Sequence, residues 1–288
     1  MTQRPDVRGF FDPATHTVTY LVSDPASGMA AIIDPVLDYD PASARTSTTS
    51  IDAVLAAVRE AGLTLALVLE THAHADHLSA ADVVRTSRGV GVGIGAQITR
   101  VQAAFAPLFE AVDVTTDGAA FDHLYADGDT FALGTLSVEV IHTPGHTPAC
   151  VTYRIGDAAF SGDTLFMPDY GTARTDFPGG DARTLYRSIQ RLLALPDDTR
   201  VFVGHDYLPE GRTLYRFETT VAEQRAQNIH VGGHVSEDAF VSMRDARDAT
   251  LGAPALILPS LQVNIRAGRL PPPEADGRRW LRLPLNTL

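Results

Sequence analysis

Lysine is missing from this sequence of 288 residues, and all 23 of its basic residues are arginine. The absence excludes any mechanism that needs a lysine amine, such as one through a Schiff base. Cysteine is almost missing as well, because Cys150 is the only one. An intrachain disulfide and a cysteine-rich zinc motif are therefore excluded. A single thiol is compatible with a reducing compartment, so we predict a cytoplasmic protein in which Cys150 is a small buried apolar residue.

Long apolar runs and an excess of positive charge are also lacking. No apolar run approaches the length of a membrane span, and residues 1–11 lack the basic-then-apolar order of a signal peptide. The formal net charge is −12, whereas nucleic acid is bound by basic surfaces. We therefore expect neither a membrane nor a nucleic acid as a partner, although a local group of arginines could bind a small anion.

Short apolar, β-prone runs recur through the first two hundred residues, with helical patterns between them. The runs cover residues 18–22, 30–33, 66–69, 90–94, 136–141, 151–155, 158–160 and 201–203. Early runs come in adjacent pairs, and residues 136–160 contain several in a row. This order favours an α/β fold with a mixed sheet, or two packed sheets with helices outside, over a doubly wound parallel sheet.

Five segments have helical patterns. Ser50 is the predicted N-cap of the first, which ends at Gly62. The others are the segment that carries Val101, Phe105 and Phe109, residues 185–193, residues 219–229, and the segment opened by Ser236. A Pro-rich tail follows from Pro254. Because no internal repeat or linker is visible, we predict one domain over residues 1–288, with a core of about 1–210 and a helical, Pro-rich extension over about 211–288.

A cluster of metal-binding side chains follows the apolar run at residues 66–69. His72, His74, Asp76 and His77 place three imidazoles and a carboxylate within six residues. Imidazole suits zinc and iron, and a carboxylate is a ligand that iron(II) also accepts. Clustered imidazoles at a buried strand end would be costly to desolvate without a ligand. The cluster therefore predicts a metal site.

Three further candidates lie just past later apolar runs, each with a glycine nearby: His146, Asp163 and His205. The turn Pro144-Gly145 can hold His146 in a fixed direction. His142 is interpreted as a hydrogen-bonded residue beside the site rather than a ligand. The remaining histidines stand outside any strand-end cluster and are expected to be structural or exposed.

The pattern His72-x-His74-x-Asp76-His77, followed by His146, Asp163 and His205, resembles the metallo-β-lactamase superfamily. Residues 143–150, 162–166, 174–177 and 205–207 resemble the persulfide (sulfur) dioxygenases, which are relatives of glyoxalase II. Residues 38–40, 167–174 and 258–264 are similar to the bacterial β-lactamase hydrolase-like branch. The resemblance implies an αββα sandwich, the metallo-β-lactamase fold, with the metal at one edge of the sheets.

The resemblance to the dioxygenases implies one iron(II) per chain, held by His72, His146 and Asp163 as the catalytic centre. Three protein ligands on one face of the metal leave positions for a persulfide sulfur and dioxygen. The implied reaction oxidises a low-molecular-weight persulfide, such as glutathione persulfide, with O₂ to sulfite and thiol. A homodimer, and a sulfurtransferase in the same pathway, are the partners that the resemblance suggests.

The hydrolases of the superfamily imply an alternative with two zinc or iron ions and an activated water between them. In such an enzyme His74 would join the first metal, and Asp76, His77 and His205 would hold the second. The alternative function is hydrolysis of a thioester, as in glyoxalase II. The sequence retains every one of these residues, so both functions stay open, and this retention argues against a catalytically idle metal-binding or electron-transfer scaffold.

Substrate contacts are also implied by the resemblance. In members that use glutathione, an arginine and a tyrosine contact the tripeptide, and they correspond to Arg174 and Tyr207 here. A further arginine of those members is replaced by His230, and residues 170–173 depart from their pattern, so the thiol that carries the persulfide stays open. Arg174 has a second interpretation, in which it only pairs with Asp176.

Overall fold

Two six-stranded sheets form the centre of the structure, a computed structural model that describes residues 4–287. The first sheet contains, in spatial order, β1 (Asp6–Asp12), β2 (Thr17–Ser23), β3 (Met29–Ile33), β6 (Thr64–Leu69), β8 (Gly91–Gly95) and β9 (His123–Tyr125). The second contains β10 (Thr130–Leu133), β11 (Leu136–His142), β12 (Val151–Ile155), β13 (Ala158–Phe160), β14 (Arg200–Phe202) and β15 (Glu218–Thr220). A small third sheet has the order β5 (Arg45–Ser47), β4 (Val36–Asp40) and β7 (Leu78–Ser79).

Seven α-helices of the described residues cover the outer faces of the two large sheets. They are α1 (Thr49–Glu60), α2 (Ala81–Arg88), α3 (Ile98–Phe105), α4 (Ala182–Leu193), α5 (Val221–Gln227), α6 (Glu237–Asp248) and α7 (Ile257–Asn264). One core lies between the first sheet and α1, α2, α3 and α7, a second lies between the sheets, and a third lies beneath α4 and α6. The predicted αββα sandwich is confirmed. Among residues 4–287, none of the helices has the length and apolar character that a membrane-spanning helix needs.

The central strands read as continuous apolar runs because both of their faces are covered. In β3, Ala30 and Ile32 face the helices, whereas Ala31 and Ile33 face the second sheet. Side chains alternate between the faces of a strand, so a strand that lies between two cores needs apolar residues at every position. The eight apolar runs that were predicted as strands all fall on strands of the structure.

The direction of the strands brings several strand ends to one edge. Strand β6 runs parallel to β3, and α1 makes the crossover between β4–β5 and β6. In the second sheet β11, β13 and β14 point the same way, because β12 is antiparallel to both β11 and β13, and β13 is parallel to β14. The loops that follow β6, β11, β13 and β14 therefore meet, and a hydrogen bond of 2.9 Å from the Val151 amide to the Thr71 carbonyl joins the two sheets there.

Two predicted helix boundaries are wrong. Helix α1 begins at Thr49, and Ser50 lies inside it, because the Ser50 hydroxyl donates to Asp38 at 2.6 Å instead of capping the helix. The segment 219–229 begins as strand β15, and only then continues as α5. Ser236, which was predicted to open a helix, caps α6 by accepting from the Ala239 amide. Helix α4 begins at Ala182, and Asp181 caps it by accepting from the Thr184 amide, a cap that the sequence analysis did not predict.

The segment from Pro254 onward contains a buried helix that the sequence analysis did not predict. Helix α7 contacts β7 and buries Leu261 and Val263 in the first core. Three of its eight residues are polar and nevertheless buried, namely Ser260, Gln262 and Asn264. The prediction of a merely Pro-rich tail is therefore wrong for this part, since tertiary packing outweighs the local proline content.

Candidate metal centre

Four loops supply the candidate ligands, and each loop follows one of the converging strands. His72 to His77 lie in the loop between β6 and β7. His146 follows β11, Asp163 lies in a short 3₁₀ helix after β13, and His205 follows β14. The structure thus brings together all seven residues that the sequence analysis selected, although their role as ligands stays a prediction.

The first group of donor atoms contains His72, His146 and Asp163. The Oδ2 atom of Asp163 lies 3.8 Å from His72 Nε2 and 3.6 Å from His146 Nε2. All three side chains are buried, and their donor atoms lie within 4.8 Å of one another. These distances are too long for hydrogen bonds and short enough for one cation to contact all three. Two imidazoles and one carboxylate form the ligand set of a non-haem iron(II) centre.

A second group lies beside the first. His74, Asp76 and His77 also have donor atoms within 4.8 Å of one another. The Nε2 atom of His205 lies 3.3 Å from Asp76 Oδ2 and 3.3 Å from Asp163 Oδ1. The two carboxylate oxygens of Asp163 therefore face different groups, as a carboxylate shared by two metal ions would.

Buried polar atoms without a hydrogen-bond partner mark the centre. Among residues 4–287 they include His72 Nε2, His74 Nδ1, His77 Nε2, His205 Nε2, Asp76 Oδ2 and Asp163 Oδ1. Buried donors and acceptors in proteins are nearly always paired, and leaving one unpaired costs about 1–3 kcal/mol. Six such atoms around one point indicate that a cation is their natural partner, so the residues fit a metal.

Three of these histidines have a backbone carbonyl oxygen near Nδ1, the ring nitrogen that faces away from the other donor atoms. His146 Nδ1 lies 2.8 Å from the Arg174 carbonyl oxygen, His77 Nδ1 lies 3.0 Å from that of Leu78, and His205 Nδ1 lies 3.2 Å from that of His16. A carbonyl can only accept, so each Nδ1 carries the proton and each Nε2 presents a lone pair. Metal-binding histidines are oriented in this way.

Asp34 orients two of the imidazoles and was missed by the sequence analysis. It is buried after β3, where Oδ1 accepts from the Thr71 amide at 2.7 Å and lies 3.0 Å from His74 Nε2. Its Oδ2 accepts from the Thr71 hydroxyl at 2.8 Å, and that hydroxyl oxygen lies 3.0 Å from His72 Nδ1. The available signal was its place directly after an apolar run, the same signal that identified Asp163.

Glu70 is a second buried carboxylate next to His74. Its Oε2 lies 3.2 Å from His74 Nε2, and its Oε1 accepts from the Ser79 hydroxyl. Burial raises the pKa of Glu70 to about 7. Burial lowers the pKa of His74, but the charges and hydrogen bonds of Asp34 and Glu70 outweigh it and raise this pKa well above its usual value. A cation that binds His74 Nδ1 would therefore have to displace a proton, whereas burial lowers the pKa of His72 and keeps it neutral.

Asn264 of α7 supports the same loop from a distant part of the chain. Its Nδ2 donates to the carbonyl oxygens of His74 at 2.7 Å and His77 at 2.8 Å, and its Oδ1 accepts from the Ser79 amide at 2.8 Å. The asparagine thereby fixes the backbone that carries the second group of ligands. No periodicity in the sequence indicates this role.

A pocket of about 400 Å³ opens onto both groups, because Asp76 of the second group lines it together with His146 and Asp163 of the first. Its lining includes His146 and Asp163 at the buried end, and the aromatic rings of Phe166 and Tyr207. Tyr207 thus lines the pocket, and its contact with a substrate stays a prediction. Arg174 lines the same pocket.

The guanidinium of Arg174 is already bound within the protein. Its Nη2 donates to Asp176 at 2.6 Å and its Nη1 to the Gly252 carbonyl at 2.7 Å. Of the two interpretations of Arg174, the pairing with Asp176 is the one that these contacts show.

Two other predictions concern residues beside the centre. His142 is half-buried, its Nε2 lies 2.9 Å from the Pro148 carbonyl oxygen, and it belongs to neither group of donor atoms. Cys150 is buried, and burial raises the pKa of its thiol to about 12. Such a thiol is a poor nucleophile at neutral pH. Both residues occupy the structural positions that were predicted for them.

An αββα sandwich with histidines and aspartates converging at one sheet edge defines a class of metal-dependent enzymes. The family model of the metallo-β-lactamase superfamily matches residues 12–205, and the chain belongs to this superfamily. The resemblance predicted from the sequence is confirmed.

Relatives with hydrolase names and with a dioxygenase name both match nearly the whole chain. A protein named "Probable metallo-hydrolase" from Burkholderia pseudomallei is 55% identical and covers 98% of this chain and 99% of its own length. The "Beta-lactamase hydrolase-like protein" of Xylella fastidiosa is 52% identical over 99% of this chain, which spans 66% of that protein. The "Persulfide dioxygenase ETHE1, mitochondrial" of Bos taurus is 33% identical and covers 93% of this chain and 90% of its own length.

One solved structure has the same fold over most of the chain. The crystal structure of ETHE1 from Myxococcus xanthus superposes with a TM-score of 0.74 at 33% sequence identity, and the match covers 92% of this chain and 100% of that one.

Proposed function

We propose that this protein is a non-haem iron(II) dioxygenase that oxidises a low-molecular-weight persulfide, of which glutathione persulfide is our candidate. The observation that carries the proposal is the group of His72, His146 and Asp163, which is a two-His-one-carboxylate set that opens onto a pocket. Likeness to a relative named a persulfide dioxygenase supports it.

The proposed reaction balances as RSSH + O₂ + H₂O → RSH + SO₃²⁻ + 2H⁺. The outer sulfur of the persulfide is oxidised, dioxygen is reduced, and the S–S bond breaks to leave the thiol. Iron(II), when bound, would supply adjacent positions for the persulfide sulfur and dioxygen. His72, His146 and Asp163 would hold it, and the pocket that His146 and Asp163 line would admit the substrate.

The remaining residues of the centre orient these ligands in the proposed enzyme. His205 Nε2 lies 3.3 Å from Asp163 Oδ1, the oxygen that faces away from His72 and His146. In an enzyme with one iron, a second proton on the His205 ring would let Nε2 donate to Oδ1, and Asp163 Oδ2 would be left to bind the iron. Buried walls around the first group limit the access of water to the open end of the pocket. The homodimer, the cytoplasmic location and the sulfurtransferase that would supply the persulfide stay predictions.

A thioester hydrolase with two metal ions is the second candidate. The division of the Asp163 oxygens between two groups of donor atoms favours it, as does the hydrolase name of the Burkholderia relative. The two candidates differ in the number of metal ions and in the need for dioxygen.

Metal analysis and oxygen uptake distinguish the candidates. We expect protein purified without oxygen to contain one iron per chain, to consume O₂ with glutathione persulfide and to release sulfite. His146→Ala should abolish the uptake. His142→Ala is the matched control, because His142 is four residues away and lies outside both groups, and this variant should retain activity. Two zinc ions per chain with thioester hydrolysis and no oxygen uptake would refute the dioxygenase.

A further inference from the structure

Three arginines line the pocket, and two of them are bound within the protein. Arg174 pairs with Asp176, as described above. Arg244 of α6 is buried, with its Nη2 2.7 Å and its Nε 3.0 Å from Asp248 Oδ1. Its Nη1 donates to the Thr172 carbonyl at 3.2 Å. Neither guanidinium is therefore available to bind the charge of a substrate without losing a contact.

Arg247 differs from both. It lies three residues beyond Arg244 on the same helix, is exposed, and lines the same pocket. Among residues 4–287, no carboxylate, carbonyl or hydroxyl binds its guanidinium. Acidic side chains outnumber basic ones in the chain by 35 to 23, yet none of the described ones forms an ion pair with Arg247.

The other side chains of the pocket show what kind of molecule would reach Arg247. Its lining contains the candidate ligands Asp76, His146 and Asp163, and it is partly apolar, with Leu251 and Leu256. The volume of about 400 Å³ suits a small molecule. A ligand that extends from end to end would place its reactive atom near the ligands and its far end beside a free guanidinium.

The charge of Arg247 affects the pKa of a nearby histidine, His230. The pKa of His230 is lowered to about 4. Burial is the largest cause, and the positive charges of Arg244 and Arg247 add to it. Arg247 therefore contributes positive potential at His230.

We propose that Arg247, rather than Arg174, selects the substrate by binding a carboxylate of the thiol that carries the persulfide. The proposal rests on the proposed function and narrows its substrate to persulfides of acidic thiols. A guanidinium binds a carboxylate through two parallel hydrogen bonds, and an ammonium at the same place binds it less specifically. Arg247 is thus a specificity residue and takes no part in the chemical step.

Two persulfides of different charge test the proposal kinetically. Glutathione persulfide carries carboxylates, and the persulfide of 2-mercaptoethanol is uncharged outside its reacting group. Arg247→Met should raise the KM for glutathione persulfide roughly three- to tenfold, as expected for a partly exposed ion pair with good geometry, and leave kcat unchanged. The KM for the uncharged persulfide should not change. Arg247→Lys should restore part of the affinity.

Arg59→Met is the matched control, because Arg59 is also an exposed helical arginine without an ion-pair partner among the described residues, and it lies on α1. This variant should behave as the wild type with both persulfides. An equal rise of KM for both substrates in Arg247→Met would show a structural role and overturn the proposal, and so would unchanged KM values.

A binding measurement separates this proposal from the proposed function. S-methylglutathione keeps the carboxylates and has no free thiol, so its binding to the metal-loaded protein can be followed by calorimetry without turnover. Weaker binding to Arg247→Met, by roughly three- to tenfold, supports the carboxylate site even if the wild type consumes no oxygen with any persulfide, an outcome that would refute only the dioxygenase. Unchanged binding, or none detected in the wild type, would overturn the role of Arg247.

Discussion

Replacing Asp34 by asparagine should weaken metal binding, although Asp34 would not touch the metal. All groups that contact its carboxylate are donors: the amide and hydroxyl of Thr71 and the ring Nε2 of His74. The Thr71 hydroxyl donates to Asp34 while its oxygen lies 3.0 Å from His72 Nδ1. One carboxylate therefore sets the orientation of two imidazoles.

The amide of asparagine cannot reproduce this arrangement. Its oxygen can keep the contacts of Asp34 Oδ1, but its NH₂ group would then face the Thr71 hydroxyl, which has no acceptor left for its own hydrogen. If the amide is reversed, the NH₂ group faces the Thr71 amide and His74 instead. Either orientation leaves a buried donor unpaired, and the change also removes the charge that favours the proton on His74 Nε2.

Loss of such an outer hydrogen bond typically lowers metal affinity by about 10–100-fold, which corresponds to about 1.4–2.8 kcal/mol. We expect Asp34→Asn to fall within this range for iron(II), measured without oxygen by competition with a chromogenic chelator. The control is Asp248→Asn, an equal change at a buried carboxylate that binds Arg244 and Thr175 and no candidate ligand. It should keep the wild-type affinity.

An affinity of Asp34→Asn within twofold of the wild type would refute this reasoning. An equal loss in Asp248→Asn would refute it as well, because the effect would then come from general destabilisation rather than from the imidazoles.

Two further predictions concern stability. Burial, together with the charges of Arg244 and Arg247, lowers the pKa of His230 from 6.5 to about 4, so between these pH values the unfolded chain binds a proton that the native protein does not. The free energy of unfolding should therefore fall as the pH drops through this window, by at most about 3 kcal/mol. In urea titrations at several pH values, His230→Gln should reduce the dependence of the unfolding free energy on pH. An unchanged dependence would contradict the assignment to His230. Gly145→Ala should lower the free energy of unfolding by more than about 3 kcal/mol, because φ is +131° and a Cβ would lie 2.3 Å from the backbone of Leu185. Gly128→Ala is the control, because Gly128 has a φ of +80° and open space around it, and this variant should lose only about 1 kcal/mol. Equal losses in the two variants would disprove the close approach at Gly145.

Much of the candidate site could be predicted because its signals are local. At least one face of β6, β11, β13 and β14 is buried, so these strands are visible in the sequence as β-prone runs rich in apolar residues, and the metal-binding side chains that follow them stand out. His72, His146 and Asp163 each follow such a run within a few residues, and parallel directions of the strands bring them together. Helix caps are local too, which explains why Ser236 was predicted correctly.

Contacts between distant segments could not be predicted in the same way. Asn264 binds the carbonyl of His74 across 190 residues, and Asp34 binds the ring of His74 across 40 residues. No period or spacing links such pairs, because the contact depends on how whole helices and sheets pack. The same reason explains the error at Ser50, whose hydroxyl turns from its own helix to Asp38.

The sequence alone determined the identity of the donor atoms, the order of the strands that present them and the superfamily, since each depends on residue type and local pattern. Only the tertiary structure decided which imidazoles lie close enough to share a cation, which carboxylates orient them, and that Arg174 is paired whereas Arg247 has no partner among residues 4–287. The partners of a charged side chain often come from other helices, strands or loops. Their distances from it are fixed only when these elements pack together, so the sequence does not show whether the charge is paired.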